Sequence, residues 1–448
     1  MTTTNSSTRN STTKDSTTRR LAGWDPEDPE FWRRTGARVA RRNLIFSVFS
    51  EHIGFCVWSL WSVLVLFLTP AYGLSADPRT AAAEKFLLTT VPTVVGAALR
   101  IPYTLAVARF GGRTWTVISA ALLLAPTAAV AVVLKPGVSY GTLLLIASVA
   151  GVGGGNFASS MANINAFYPQ RLKGRALGLN AGGGNIGVAV VQLAGLAVLA
   201  TAGKDHPRVM AGIYLPLIVI AALCSALFMD NLEGVRNDGR AMRDAARNPH
   251  TWVIAALYIA TFGSFIGFSF AFGQVLQVQF AGHFLTGGKA DPVKIASLTF
   301  LGPLVGSAAR PAGGWLADRY GGARATCWNF ALMALAATVV LAASAQRSLP
   351  LFCAGFIALF ALSGLGNGST YKMITAIASS RAIAGAAIGI AGAVGAFGGA
   401  LVTLAFRQSF LSYGSGVPAY LGFIACYLIC LAITWARYLR PGKTGPCR

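Results

Sequence analysis

Two arginines stand inside long apolar stretches of the chain. Arg100 lies within PTVVGAALRIPYTLAVA and Arg310 within SLTFLGPLVGSAARPAGGWLA, and neither stretch contains an acidic residue. A cation at the centre of a bilayer costs about 2.5–3.5 kcal/mol on insertion scales, so such a residue usually has a function. Guanidinium is planar, permanently charged and presents its N–H donors in a fork. Two of them without acids predict a binding site for a small anion that comes from outside the chain.

A second candidate for chemistry is Glu51, the only acid inside a predicted span, together with the adjacent His52. A histidine beside a carboxylate can titrate near neutral pH, which makes the pair a candidate proton-binding site. The alternative is an interfacial pair about two turns beyond Arg41 and Arg42. Lys372, in GSTYKMI, is a third unusual charge. Its side chain either snorkels to the interface or adds a further contact for the anion.

The composition indicates that these charges lie in a membrane. The chain has 448 residues, of which 54% are hydrophobic and 12% charged, with a mean hydropathy of +0.58. Soluble domains carry about 25% charged residues. Apolar stretches of about 20 residues predict membrane-spanning helices, and twelve occur, so the fold class is an all-α membrane protein. They cover residues 44–69, 86–108, 114–134, 140–165, 176–201, 209–229, 252–281, 293–317, 325–344, 349–371, 381–405 and 417–438.

The distribution of the basic residues predicts the orientation of the chain. The net charge is +22, which taken alone is typical of nucleic-acid binding. Most Lys and Arg residues, however, fall on one side of the twelve predicted spans, and cytoplasmic loops carry this excess. We therefore expect a cytoplasmic membrane protein with both termini in the cytoplasm and no nucleic-acid partner. The basic residues on that side include Arg33, Arg34, Arg38, Arg41, Arg42, Arg109, Arg113, Arg171, Lys173, Arg175, Arg236, Arg240, Arg243 and Arg247.

The sequence carries no pattern typical of an enzyme or a metalloprotein. It contains seven cysteines, none in a CxxC motif or a Cys/His cluster, so neither a disulfide framework nor a metal site is predicted. No nucleophile–base pair or nucleotide-binding loop is found. We expect a protein that is not an enzyme and has no prosthetic cofactor.

The chain divides into two halves that repeat. The predicted segments are a tail over 1–43 with a disordered Thr/Ser-rich part over 2–18, a six-helix half over 44–229, a linker over 230–251, a second half over 252–438 and a tail over 439–448. An offset of 210–211 residues relates Arg100 to Arg310 and Asn156 to Asn367. Transporters built from repeats bind substrate at the interface of the repeats. The two arginines are thus predicted to reach one ligand from opposite halves.

Glycine-rich segments follow the same repeat. The first is GVGGGNFASSMANINAFYPQRLKGRALGLNAGGGNIG and the second includes GLGNGSTYKMI. Small residues allow helices to pack closely, and glycine also exposes backbone groups to a substrate path. Both interpretations stay open here. The residues concerned are Gly153, Gly154, Gly155, Asn156, Asn180, Gly183, Gly184, Gly364, Gly366, Asn367 and Gly368.

These segments resemble the two signatures of the nitrate/nitrite porters of the major facilitator superfamily. LRIPY around Arg100 and YIATFGSFIGFSF extend the resemblance over residues 43–438, and GGWLADRYGGAR resembles the loop 8–9 motif of the superfamily. The resemblance implies the major facilitator fold of two pseudo-symmetric six-helix halves in a lipid bilayer. It implies Asp318 and Arg319 as a charged latch at the end of the eighth helix.

The resemblance also implies a set of nitrate-binding residues. Arg100 and Arg310 would hold the anion and Tyr258 would hydrogen-bond it. Asn185 would add a polar contact, and Phe55, Phe157 and Phe262 would wall the site.

Nitrate is planar with its charge spread over three oxygens, which suits planar guanidinium and aromatic walls. The implied function is nitrate uptake, either coupled to protons at Glu51 and His52 or in exchange for nitrite. Alternatives are a porter for another small anion such as a carboxylate, and an anion sensor that does not transport. We expect a monomer whose partners are nitrate, nitrite and, for a symporter, protons.

Overall fold

Twelve helices long and apolar enough to cross a membrane form the described part of the chain, as predicted. The structure is a computed structural model that describes residues 14–15, 19–233, 239–286, 289–377 and 381–440. The spans are α1 (Pro29–Phe67), α2 (Pro78–Phe110), α3 (Gly112–Val133), α4 (Tyr140–Phe167), α5 (Gln170–Thr201), α6 (Arg208–Phe228), α7 (Pro249–Gln279), α8 (Pro292–Tyr320), α9 (Gly322–Ala345), α10 (Leu349–Ala376), α11 (Arg381–Tyr413) and α12 (Val417–Leu439).

Several spans contain local breaks or wide turns. π-Helical turns lie at Trp32–Gly36 in α1, Ile259–Gly263 in α7 and Trp435–Leu439 in α12. Short 3₁₀ turns follow α1 at Pro70–Tyr72 and α7 at Ala281–Phe284. A short helix, Gly239–Arg247, lies in the linker between α6 and α7.

The first two helices begin earlier than the hydropathy of the sequence predicts. α1 starts at Pro29 rather than at residue 44, and α2 at Pro78 rather than at 86. Both starts follow an aspartate, and proline in the first turn with an aspartate cap favours helix initiation. The Asp77 carboxylate accepts the Thr80 N–H at 2.8 Å, and hydrogen bonds from Thr80 hold the pKa of Asp77 below its usual range.

The longer helices correct one prediction. Glu51 is not the only acid inside a helix, because Glu30, Glu84 and Asp318 also lie within the observed spans. Polar residues at a helix end lower the mean hydropathy of a window, so the hydropathy pattern misses the ends of these helices.

The two halves, α1–α6 and α7–α12, pack against each other through corresponding helices. α2 packs along α11, and α5 packs along α8. We call the side that carries the start of α1 and the linker the terminal side, and the opposite side the far side. Arg100 of α2 and Arg310 of α8 both lie at this interface of the halves.

The far-side part of this interface is closed by ring stacking and hydrogen bonds. The Phe86 ring of α2 stacks on Phe406 and Phe410 of α11, with centroids 6.0 and 5.8 Å away. The Thr90 hydroxyl donates to the Thr403 hydroxyl at 2.7 Å. These contacts join α2 to α11 between the far side and the two arginines.

The terminal side carries a small sheet that ties the N-terminal segment to the linker. Strand β1 (Lys14–Asp15) pairs antiparallel with β2 (Arg20–Leu21), and β2 pairs parallel with β3 (Asn231–Leu232). A hairpin of β4 (Leu285–Thr286) and β5 (Lys289–Ala290) lies on the far side. The predicted disordered segment 2–18 lies outside the described residues except for β1, and the predicted tail 439–448 lies outside them beyond residue 440.

Buried charge anchors the sheet. The Asp230 carboxylate, which is 0% exposed, forms ion pairs with Arg42 and Arg19. It also accepts the Asn43 side-chain N–H at 3.2 Å. The predicted linker over 230–251 is therefore ordered at its start, where it is fixed to α1. Arg236 of the linker lies outside the described residues.

Candidate functional site

The guanidinium groups of Arg100 and Arg310 lie over the same two phenyl rings. The Arg100 Cζ is 4.6 Å from the Phe157 centroid and 5.0 Å from that of Phe262. The Arg310 Cζ is 5.8 Å from Phe157 and 6.0 Å from Phe262. Arg100 and Phe157 belong to the first half, whereas Arg310 and Phe262 belong to the second. The structure therefore brings the two predicted arginines together at one place between the halves.

The two arginines use only part of their donor capacity. Arg100 donates from Nε to the Gly154 carbonyl at 3.2 Å and from Nη1 to the Gly392 carbonyl at 2.7 Å. Arg310 donates from Nη2 to the Tyr258 hydroxyl at 3.1 Å. The buried Nη2 of Arg100 and Nη1 of Arg310 have no hydrogen-bond partner among the described residues. Buried donors of this kind are normally satisfied, so the site has room in its hydrogen bonding for an acceptor.

No carboxylate in the described ranges forms a salt bridge with either arginine. Arg100 is 0% exposed and Arg310 is 6% exposed. Two buried cations without paired acids are costly unless an anion joins them. The charge and the free donors thus both favour an anionic ligand.

Four aromatic rings cluster beside the two arginines. Phe157 lies 6.1 Å from Phe55 and 6.0 Å from Phe262, between ring centroids. Tyr258 and Phe262 are stacked with centroids 5.1 Å apart and planes at 6°. All four rings are buried. These rings form one aromatic surface beside the two guanidinium groups.

The wide turn of α7 positions Tyr258 and Phe262. The π-helical turn Ile259–Gly263 begins directly after Tyr258 and includes Phe262. π-Turns inside α-helices are frequent at functional sites. Gly395 of α11 lies against the Tyr258 ring, and a Cβ at that glycine would collide with the ring. The phenol is therefore held in place by a close approach of α11.

The site asparagines fall into two groups. Asn185 is 1% exposed, and neither its amide oxygen nor its nitrogen has a partner among the described residues. Asn156 and Asn367, which the repeat relates, share this property. Asn180 instead donates from Nδ2 to the Ser160 hydroxyl at 2.8 Å and to Glu51 at 2.5 Å. Among the described residues, the structure shows no hydrogen bond between Asn185 and either arginine.

Glu51 is buried rather than interfacial. The residue is 1% exposed, and its Oε2 accepts hydrogen bonds from Ser160 and Asn180. Its charge interacts with those of Arg310 and Arg100. The interpretation of Glu51 as a membrane-interface residue near Arg41 is therefore wrong. Its helix turns it toward α4 and α5, inside the first half.

His52 points away from that network. It is half-buried, and its Nδ1 lies 3.0 Å from the Gly183 carbonyl on α5. Adjacent residues on a helix differ by about 100° in direction. The predicted pair is thus divided between two environments, and only Glu51 reaches the level of the arginines.

Comparison with known proteins decides the family of the chain. A family model described as Major Facilitator Superfamily matches residues 52–403. The nitrate/nitrite transporter NarU of Salmonella typhimurium is 36% identical to this chain, over 94% of the chain and 96% of that relative. The chain belongs to the nitrate/nitrite porter family of the Major Facilitator Superfamily. This is a family of transporters rather than of enzymes.

Two further likenesses agree with this family. The probable nitrate/nitrite antiporter NarK2 of Thermus thermophilus is 33% identical, over 95% of this chain and 98% of that relative. Among solved structures, the xylose transporter XylE from E. coli superposes with a TM-score of 0.69 at 11% identity, covering 91% of this chain and all of XylE. The likeness to XylE shows the fold alone, and it confirms the major facilitator fold that the sequence predicts.

The first porter signature brings helices unusually close. A Cβ at Gly154 would lie 2.7 Å from the Gly96 Cα and 2.7 Å from the Trp58 ring, so α4 touches α2 and α1 at this point. A Cβ at Gly155 would meet the Tyr103 ring, and one at Gly153 would meet the Gly54 carbonyl. The Gly154 carbonyl also accepts the Arg100 Nε–H. Close packing and site construction are therefore the same feature here.

The second signature and the α5 glycines act in the same way. Gly364 lies against the Gly306 carbonyl of α8, and Gly368 against the Arg310 carbonyl. Gly366 lies against Asn329 of α9. On α5, Gly183 lies against Val48. The contacts of Gly364 and Gly368 bring α10 close against α8, which carries Arg310.

Several residues at the site were not predicted. Tyr371 of α10 lies under Arg310, with the Cζ 5.7 Å from its ring centroid, and its buried hydroxyl has no partner in the described part of the chain. Trp58 lies 5.6 Å from the Arg100 Cζ. Gly392 supplies a carbonyl to Arg100. The position of Tyr371 beside the unusual Lys372 in GSTYKMI was the one signal in the sequence.

The two predicted latch residues, Asp318 and Arg319, contact different groups. Asp318 forms an ion pair with Lys372 of α10 at 2.6 Å. The Arg319 guanidinium lies instead over the Trp315 and Tyr320 rings, at 5.6 and 5.4 Å. Lys372 is therefore bound to a carboxylate at the terminal-side end of α8 and α10. Its predicted roles, snorkelling or anion contact, did not include this pair.

Proposed function

We propose that this chain transports nitrate and nitrite across a membrane by alternating access of its two halves. The observation that carries the proposal is the arginine pair. One guanidinium from each half lies over the same two rings, and each keeps one buried Nη without a partner among the described residues. The similarity to the nitrate/nitrite transporter NarU and to the probable nitrate/nitrite antiporter NarK2 supports the same substrates.

The geometry favours a small planar anion. Arg100 Nη2 and Arg310 Nη1 are charged donors without a partner among the described residues, and the Tyr258 hydroxyl, which accepts from Arg310, still has its own proton to donate. Charge-assisted bonds from guanidinium to oxygen are stronger than neutral ones. Nitrate and nitrite are planar anions whose oxygens can accept from planar guanidinium forks.

We infer that the moving units are residues 44–229 and 252–438, joined by the 230–251 linker. Binding an anion between Arg100 and Arg310 draws the halves together at their middle. Release requires one side of the interface to open while the other closes. Opening of the far side breaks the Phe86 stack on α11 and the Thr90–Thr403 hydrogen bond.

We propose further that the porter resides in the cytoplasmic membrane as a monomer with its terminal side in the cytoplasm. Clusters of basic residues at the start of α1 and in the linker support this orientation, because basic residues are retained on the cytoplasmic side. Arg33, Arg34 and Arg38 precede the apolar part of α1, and Arg240, Arg243 and Arg247 lie in the linker helix.

The energy source is proposed from the charge of the substrate. Moving one anion into a negative-inside cell is uphill by roughly 2.3 kcal/mol per 100 mV. Uptake therefore needs protons, for which Glu51 and His52 are the candidates, or the exit of nitrite in exchange. The buried position of Glu51 beside the arginine network supports a proton-coupled mode.

Flux in reconstituted vesicles tests the proposal. Purified protein in liposomes should exchange external nitrate for internal nitrite, and should take up nitrate into empty vesicles when the outside is acidic. Formate and chloride are added as competitors. Arg310→Lys should abolish flux, whereas Arg324→Lys, at an exposed cation of α9, is the matched control.

Two outcomes would contradict the proposal. Competition by formate but not by nitrate would assign the site to a carboxylate. Nitrate binding with no flux in either vesicle type would indicate a sensor.

A further inference from the structure

Glu51 is built into the arginine site in a way that nitrate binding alone does not require. Its carboxylate lies on α1 and its Oε2 accepts from Ser160 of α4 and Asn180 of α5. Its Oε1 is buried and has no hydrogen-bond partner among the described residues. A Cβ at Gly184 would collide with Oε1, so the absence of a side chain on α5 makes the space for this oxygen. The chain therefore encloses a carboxylate with one oxygen held and the other open.

The charged groups that face Glu51 are the two arginines. The charge of Glu51 interacts with those of Arg310 and Arg100. Tyr371 of α10 is another titratable group close enough for its charge to interact with Glu51. From α4 and α5 the facing groups are the neutral Ser160 and Asn180, and His52 is turned to the Gly183 carbonyl. Glu51 is thus a carboxyl group whose charge acts on both arginines without forming a salt bridge to either one.

The charges of the site can be added directly. The two arginines contribute +2. One ionised Glu51 or one nitrate each reduces this to +1, and both together place two anions in the field of the same two cations. Two anions in a buried site repel each other strongly because the dielectric response there is low. Adding a proton to Glu51 removes that repulsion, so proton binding and nitrate binding should favour each other.

The hydrogen bonds around Glu51 can serve both of its protonation states. The Ser160 hydroxyl also lies 3.0 Å from the Phe157 carbonyl. A hydroxyl can donate to one group and accept from another. When Glu51 is ionised, Ser160 donates to it. When Glu51 carries a proton, Ser160 can donate to the Phe157 carbonyl and accept from the acid, while the ring of Phe157 lies under both arginines.

We propose that Glu51 is the internal counter-anion of the arginine pair, and that nitrate takes over this role as Glu51 takes up a proton. The inference rests on the proposed nitrate site and specifies how that site is coupled. Protonation and nitrate binding then occur together on one side of the membrane, and proton and nitrate leave together on the other. His52 takes no part in this step.

Nitrate binding to the purified protein as a function of pH tests the inference. The wild type should bind nitrate about tenfold more weakly at high pH than at low pH, and should take up protons from a weakly buffered solution as nitrate binds. Glu51→Gln, which mimics the protonated acid, should bind nitrate with an affinity independent of pH and without proton uptake. Glu84→Gln removes a half-buried acid of α2 near the far side and should behave as the wild type does.

Transport assays separate the coupling from the binding. In vesicles, Glu51→Gln should keep nitrate/nitrite exchange and lose uptake driven by a pH gradient. Proton uptake or gradient-driven transport that persists in Glu51→Gln would overturn the inference. Wild-type binding and exchange without any proton uptake would overturn it too, while leaving the proposed function intact. Absence of nitrate binding by the wild type at every pH would instead remove the proposed function.

A second variant guards against misfolding of Glu51→Gln. Ser160→Ala removes a donor that stabilises the ionised carboxylate, so the loss of nitrate affinity should shift to higher pH. The shift should be visible in the same binding assay, and rescue by Ser160→Thr should restore the wild-type profile. An unchanged profile in Ser160→Ala would contradict the role given to Glu51.

Discussion

Arg100 and Arg310 occupy equivalent positions in the two halves, yet their surroundings differ. Arg100 is 0% exposed and donates to the backbone carbonyls of Gly154 in its own half and Gly392 in the other. Arg310 is 6% exposed and donates to the phenol of Tyr258. Arg100 is thus held by backbone carbonyls of both halves, whereas Arg310 is held by a side chain of its own half.

The acid network is also confined to one half. The residue 210 positions after Glu51 is Thr261, and those 211 positions after Ser160 and Asn180 are Tyr371 and Ala391. The second half thus has a tyrosine where the first half has the serine that contacts the carboxylate. The repeat thus duplicates the cation but not the acid network, and the two halves differ in the groups that surround their arginines.

The largest predicted effect breaks the arginine pair. Arg100→Lys and Arg310→Lys should each lower nitrate transport by about two orders of magnitude. Hydrogen bonds of charged groups are worth about 1.5–3 kcal/mol each, and lysine keeps the charge but not the fork. Arg100→Lys should be the more damaging because it also loses two carbonyl contacts. Initial rates in vesicles measure this, with Arg109→Lys at an exposed cation as the control, and near-normal rates in either variant would contradict its role.

A second substitution tests the backbone contact between Gly154 and Arg100. Gly154→Ala places a Cβ 2.7 Å from the Gly96 backbone, which cannot move as a side chain can. Overpacking of this kind costs about 1–3 kcal/mol. We expect a lower melting temperature and weaker nitrate binding, since the carbonyl that holds Arg100 must shift. Gly182→Ala, at a glycine with no heavy atom within 4 Å of the added Cβ, is the control, and equal behaviour of the two variants would refute the argument.

The arginine pair and the ring wall could be predicted from the sequence because each depends on a local motif. Arg100 and Arg310 can be recognised in the sequence as cations within apolar stretches. Tyr258 and Phe262 are four residues apart, which places them on one face of a helix. The repeat then places the two halves of the site opposite each other. The number of spans follows from hydropathy alone.

The remaining features depend on distances between helices, which the sequence does not display. The sequence leaves open whether Glu51 lies at the membrane interface or in the core, because its partners Ser160 and Asn180 are more than 100 residues away along the chain. Lys372 and Asp318 belong to different helices that meet only at their ends. Hydropathy also misses polar helix ends, and so the early starts of α1 and α2 were not predicted.

Smaller effects should follow from the tyrosines of the second half. Tyr258→Phe removes the acceptor for Arg310, and Tyr371→Phe removes a buried hydroxyl without a partner among the described residues. A neutral hydrogen bond contributes about 0.5–1.5 kcal/mol. Each variant should therefore weaken nitrate binding by about three- to tenfold. Tyr427→Phe, at a buried phenol bonded to Ser264, is the matched control and should leave nitrate affinity unchanged.

If Tyr427→Phe weakens binding as much as Tyr258→Phe does, the effect is one of folding rather than of the site. Melting temperatures of all three variants distinguish these cases. Unchanged nitrate affinity in both Tyr258→Phe and Tyr371→Phe would show that Arg310 binds nitrate without help from either tyrosine of the second half.

The smallest effect concerns the terminal-side ion pair of the second half. Asp318 and Lys372 have Ala108 and Met161 at the related positions of the first half, so the pair distinguishes the halves. Both side chains are more than half exposed, and exposed pairs contribute at most about 1 kcal/mol. Asp318→Asn should lower the melting temperature by no more than a few degrees and should change transport rates less than threefold. Loss of all transport in Asp318→Asn would show that the pair controls opening of the terminal side.

We propose that the two unlike halves bind one nitrate between them. Isothermal titration of the purified protein with nitrate at low pH tests it most directly. We predict one nitrate per chain, and the loss of that single site in Arg100→Lys and equally in Arg310→Lys. Two nitrates per chain, with each variant retaining one of them, would contradict the account.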